Sequence, residues 1–101
     1  MNKSELIANL CKKQLHLTEK DISLSANAII EKMIRHLTQG GRIEIRDFGN
    51  LCLHHRAPRI AHNPKTGKKF MTDPKYAIYF KAGKGLKDRV NANKHLPIRE
   101  D

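Results

Sequence analysis

The chain contains no tryptophan, two tyrosines and three phenylalanines. A sheet that binds single-stranded RNA by base stacking needs a pair of surface aromatics, and none is evident in this sequence. Acids are also scarce, ten against twenty lysines and arginines, and they are scattered rather than paired for acid–base chemistry. The three serines, Ser4, Ser23 and Ser25, lie far from any glycine-rich nucleophile turn, and no P-loop occurs. These gaps argue against an enzyme. Cys11 and Cys52 stand far apart in apolar contexts with no C-x-x-C or H-x-x-x-H spacing, and His54 and His55 fall on opposite strand faces. No metal or cofactor is expected, and the cysteines read as a reduced, buried pair of small hydrophobes. No apolar run approaches the roughly 18 residues of a membrane span, and "MNKSELIANL" lacks the apolar stretch of a signal peptide. A cytosolic protein is the expectation.

What is present is positive charge. The 101 residues carry a net charge of +10 with 39% hydrophobic residues, a globular rather than disordered composition. The asymmetry is marked: residues 1 to 41 carry six basic and four acidic side chains, residues 42 to 101 fourteen and six. A polyanion, nucleic acid before membrane, is the default partner, and it belongs on the second half. A chain of this length has a marginal core, which a partner subunit would complete.

Asn2 followed by Glu5 has the capping-box form, and Leu6, Ile7 and Leu10 predict a first helix over 3–14. Thr18 with Asp21 caps a second, on which Ile22, Ala26, Ile29, Ile30, Met33 and Leu37 hold one face until Gly40-Gly41. The period then drops to two. In "RIEIR" Ile43 and Ile45 share one face and Arg42, Glu44 and Arg46 the other; Asp47 to Asn50 reads as a turn, with Leu51 and Leu53 core-facing in the strand beyond it. A third strand covers "KYAIYF", and a short helix opens at Gly83, ahead of a tail in which Pro97 blocks further helix.

About sixteen residues separate the second and third strands, where two to five would connect antiparallel neighbours. If both strands continue outward and turn at Asn63-Pro64-Lys65-Thr66-Gly67, they make a protruding ribbon. Such a ribbon reads as having no apolar face, so its order should come from a partner. Arg56, Arg59, Lys65, Lys68 and Lys69, with His54, His55 and His62, supply a row of cations suited to phosphates. Pro64 is open to two readings: an ordinary turn proline, or an apolar wedge that unstacks base pairs from the minor groove.

"GRIEIRDFGNLCLHHRAPRIAHNPKTGKKF", "KYAIYFKAGKGLKDRVN" and the initial "NKSELI" resemble the HU and integration host factor family of bacterial DNA-bending proteins over residues 1 to 93. "RAPRIAHNPKTG" is the most specific motif, and "RIEIR" with "HHRAPR" favours the integration host factor branch. The resemblance implies an α+β fold: a helical hairpin over 1–41, a three-stranded antiparallel sheet over 42–82 with the arm at about 56–74, a C-terminal helix over 83–93, and a polar tail over 94–101. It implies an intertwined dimer that bends double-stranded DNA from the minor groove. The partner would be an alpha subunit of integration host factor, with a homodimer of the HU kind as the alternative. Pro64 would be the wedge, with Arg56, Arg59, Asn63, Lys65 and Lys68 lining the arm. Glu44 and Arg46 would sit in a sequence-recognising body contact, although Glu44 is equally readable as a carboxylate orienting Arg42 or Arg46. Lys3 and Ser4 beside Asn2, and Gly83 with Lys84, would bring helix N-termini to phosphates.

Four departures from the family pattern stand out. Asp47 replaces a usual glycine, Ala61-His62 a Gly-Arg, Ala82 a proline, and Gly85 a helix-favouring residue. His62 thereby exchanges a permanent cation for an imidazole, whose charge depends on pH near neutrality. The function expected is a nucleoid-associated, sequence-preferring architectural protein acting in recombination, transcription, translation and replication. An HU-like nonspecific nucleoid protein and a basic RNA-binding protein are the alternatives.

Overall fold

Both helical starts follow from their caps. In the computed structural model, which describes residues 1–100, the Asn2 side chain accepts from the Glu5 amide at 2.9 Å and opens α1 (Lys3–Lys13). Thr18 does the same for the Asp21 amide at 3.1 Å and opens α2 (Glu19–Thr38). Acids in each first turn and bases in each last turn match the helix dipoles. Gly40, with φ 87, ends α2.

Three strands form one antiparallel sheet in the order β1 (Ile43–Ile45), β2 (Gly49–Arg56), β5 (Lys75–Ala82). Gly49 already belongs to β2, so the first turn is tighter than the sequence suggests. Phe48 N–H donates to the Ile45 carbonyl at 3.1 Å, and Asp47 takes the third turn position with φ 64. An L-residue there pays a steric penalty that aspartate and asparagine tolerate better than most. A second, two-stranded sheet pairs β3 (Ile60–His62) with β4 (Lys69–Met71), and α3 (Lys84–Ala92) closes the fold behind Gly83. The α+β architecture with a β-ribbon arm is thus as expected from the sequence.

The two sheets are one ribbon interrupted once. Arg56 faces Lys75 and Ile60 faces Met71, so four positions elapse on each strand between them and no residue is inserted. Pro58 and Pro74 lie in that gap, where neither can donate a ladder hydrogen bond. Pairing resumes at Thr72, whose amide donates to the Arg59 carbonyl at 2.8 Å and whose hydroxyl accepts from the Arg59 amide at 2.9 Å.

The ribbon does carry apolar pairs, contrary to the sequence reading. Ile60 opposes Met71 and Ala61 opposes Phe70. They escaped notice because each pair joins residues about ten apart in sequence that meet only across strands.

The core of the single chain is incomplete. Ile7 and Ile22 are its only buried hydrophobics among the described residues, while Ile29, Ile34, Tyr76 and Ile78 are all more than half exposed. The accessible surface is 9341 Å², against roughly 5,800 Å² for a closed globule of this mass. The radius of gyration is 19.4 Å, against about 13 Å for a compact chain of this length. Cys11 and Cys52 are free but half-buried rather than buried; Cys52 alternates with Leu51 and Leu53 and so lies on the sheet face away from the helices. A groove of about 780 Å³ between α2 and the sheet is lined by Ile34, Leu37, Leu53, Tyr76 and Ile78.

Gly49 is the tightest point of the sheet. A Cβ there would lie 2.5 Å from the Lys81 carbonyl oxygen and 2.7 Å from the Phe80 ring. Gly49→Ala is expected to destabilise the protein by about 1–3 kcal/mol in thermal or urea denaturation.

Candidate nucleic-acid interface

The ribbon tip is built by local hydrogen bonds. The Asn63 amide donates to the Lys68 carbonyl at 2.9 Å, and the Gly67 amide donates back to the Asn63 carbonyl at 2.7 Å. Inside that loop the Asn63 side-chain oxygen accepts from the Lys65 amide at 2.8 Å, an Asx turn that spans Pro64. Gly67, at φ 70, supplies the left-handed residue the turn requires. Pro64 therefore sits at the apex, exposed, with its ring flanked by backbone groups that are already bonded.

Strand alternation sorts the basic side chains. Because the register is unbroken, Asn50, Cys52, His54 and Arg56 share a face with Lys75, Tyr79 and Lys81, and His62 and Lys69 continue it along the ribbon. Arg59 and Lys68 lie on the opposite side. The sequence reading of a single row of cations becomes two rows, one on each face. Lys75 and Lys81 were missed there; the signal was the same period-two pattern, read for its apolar members Tyr76, Ile78 and Phe80 and not for the residues between. His54 stacks on Tyr79 with ring centroids 4.8 Å apart, and His55 meets Tyr76 edge-on at 5.2 Å. The two histidines thus face opposite ways, each against a tyrosine.

On the body, Arg42 Nη2 lies 3.7 Å from Glu44 Oε2, so of the two arginines offered by the sequence the carboxylate pairs with Arg42. Both are exposed, and such a pair contributes little to stability. Arg46, exposed in the β1–β2 turn, has no acid within ion-pair distance among the described residues. At the start of α1, the Lys3 ammonium donates to the Asn27 side chain on α2 at 2.8 Å, and the Ser4 hydroxyl donates to Asn2 at 2.8 Å. At α3 the Gly83 amide donates to the Phe48 carbonyl at 2.9 Å, which ties the helix start to the turn. The outward-facing amides begin at Lys84, whose ammonium lies 3.6 Å from Asp88. The turn at Arg46 and the start of α3 come together, with Glu44, Arg46 and Gly83 lining one cleft, whereas the arm and the start of α1 lie elsewhere on the chain. No helix among the described residues is long and apolar enough to cross a membrane.

A basic β-ribbon on a sheet backed by a helix pair has counterparts among known proteins. Residues 1–91 match the family described as bacterial DNA-binding protein, and the chain belongs to this HU and integration host factor family. Within it, the similarity runs to integration host factor subunit beta. The protein of that name from Alkalilimnicola ehrlichii is 52% identical over 99 residues, covering 98% of this chain and 99% of the relative. That from Photobacterium profundum is 53% identical over 92 residues, covering 91% and 96%. Among solved structures, an Anabaena HU–DNA cocrystal structure matches with a TM-score of 0.79 at 29% identity, covering 89% of this chain and 97% of that one. An HU variant from Thermotoga maritima matches at 0.63 with the same identity, covering 89% and 99%.

The Asx turn is directly testable. Asn63→Ala removes the acceptor for the Lys65 amide, and amide exchange at Lys65 is expected to accelerate roughly three- to tenfold while the β2–β5 amides keep their protection.

Proposed function

We propose that the chain is one subunit of a dimeric architectural protein that bends double-stranded DNA from its minor groove. The observation that carries this reading is Pro64, exposed at the apex of a ribbon whose two faces both bear cations. A groove has two phosphate walls, and cations on both faces of an inserted ribbon reach both of them. The proline ring has no donor, so it can enter a base step without leaving a polar group unpaired. Unstacking a step costs a few kcal/mol, which extra phosphate contacts along the bent duplex offset.

In this reading Arg56, Arg59, Asn63, Lys65, Lys68, Lys69 and His62 line the arm. Arg46, with the Arg42–Glu44 pair beside it, contacts the duplex at the body. Lys3 and Ser4, and Gly83 and Lys84, anchor the flanks. The unit responsible is residues 1–93, and residues 94–101 form a polar tail. Sequence preference arises mainly from deformability and groove width. Bringing distant sites together serves recombination, transcription, translation control and replication at the bacterial nucleoid, in the cytoplasm.

The second subunit is an alpha subunit of integration host factor. The exposed apolar surface and the groove against Leu53, Tyr76 and Ile78 support a dimer, and the names of the relatives support the heterodimer. Co-expression with an alpha subunit should give a 1:1 complex by native mass measurement. A homodimer that excludes the alpha subunit would instead support the HU-like, nonspecific protein.

Pro64→Ala is expected to reduce the bend angle in a circular-permutation assay while retaining part of the affinity. An unchanged bend angle would refute the wedge role.

A further inference from the structure

Two residues that look unrelated in the sequence touch in the fold. Asp47, in the left-handed position of the β1–β2 turn, packs against Gly85 in the first turn of α3. A Cβ on Gly85 would lie 3.1 Å from Asp47 Cβ, 3.2 Å from its carbonyl oxygen and 3.3 Å from Oδ1, so the bare glycine is what leaves room for the aspartate. α3 itself starts without a side-chain cap and without an acid in its first turn. The carboxylate beside that turn thus comes from another element. Asp47 also borders a cleft of about 570 Å³, shared with Glu44, Arg46, Asn50 and Gly83. Of the two acids there, Glu44 pairs with Arg42, whereas Asp47 lies within 4.0 Å of no cation among the described residues.

We infer that Asp47 is a selectivity-setting residue of the DNA interface, an inference that rests on the DNA-bending reading above. Asp47 follows the proposed contact Arg46 in the turn and packs against Gly85, the residue after the proposed contact Lys84, and from there its carboxylate repels duplex phosphate. Nonspecific binding depends almost wholly on phosphate contacts, so this repulsion weakens association with arbitrary DNA. The turn conformation is not the reason for the aspartate, since asparagine adopts a positive φ equally well.

Asp47→Asn separates charge from geometry. Affinity of the assembled dimer for a random-sequence duplex is measured across a salt series, with Glu31→Gln as a control that makes the same change in net charge on the exposed face of α2. Asp47→Asn should bind about two- to fivefold tighter. The gain should shrink as salt is raised, because the repulsion that it removes is screened. The control should show neither change. Affinity and salt dependence equal to the wild type, or to Glu31→Gln, would overturn the role of Asp47 alone. Absence of salt-dependent duplex binding by the wild type itself would overturn the DNA-bending reading, and this inference with it.

Discussion

The antiparallel pairing of β2 with β5 is the constraint on which everything else rests. Its register passes through the Pro58–Pro74 interruption without a bulge and continues into β3 and β4. A one-residue slip would exchange the two faces of the whole ribbon. It would turn Leu51, Leu53 and Ile78 away from the helices and move Arg56 and Lys75 to the other side. The same ladder therefore sets the core, the direction of the arm and the distribution of charge along it. The prolines stop hydrogen bonding where the body ends but leave the alternation intact, so the arm is joined to the sheet at a defined joint.

The sheet's other face explains why one chain is unfinished. Phe48 and Phe80 pack at 5.5 Å between ring centroids, close to Gly49, and fix the end of the sheet nearest α3. Toward the arm, the apolar residues of β5 and the later turns of α2 lie open. Exposed apolar surface on this scale marks an interaction site, which the proposed second subunit would cover. Two copies of the sheet joined across that surface would present two arms, so the incomplete core and the proposed clasping of DNA would have a common origin.

Much of this was legible in the sequence. Asn2 and Thr18 marked both helix starts, because capping needs particular side chains at particular spacings. The change of period after Gly41 announced the sheet, and the excess length between two strands announced the arm. What stayed hidden depends on contacts between distant residues. The Ile60–Met71 and Ala61–Phe70 pairs exist only once the register is known. Lys75 and Lys81, by contrast, follow from the period-two pattern of their own strand once the residues between its apolar members are counted. The fit of Asp47 against Gly85 could not be read from either residue, since one lies in a turn and the other in a helix nearly forty positions later. The partial exposure of Cys52 follows from strand alternation, which places it on the face opposite Leu51 and Leu53 although its neighbours in sequence are apolar.

The central claim, that the paired arms hold DNA in a sharply bent form, is tested most directly by energy transfer between dyes at the two ends of a duplex carrying a target site. Addition of the assembled wild-type dimer should raise transfer efficiency strongly and saturably, as the ends approach. Tight binding with no change in end-to-end transfer would contradict the account.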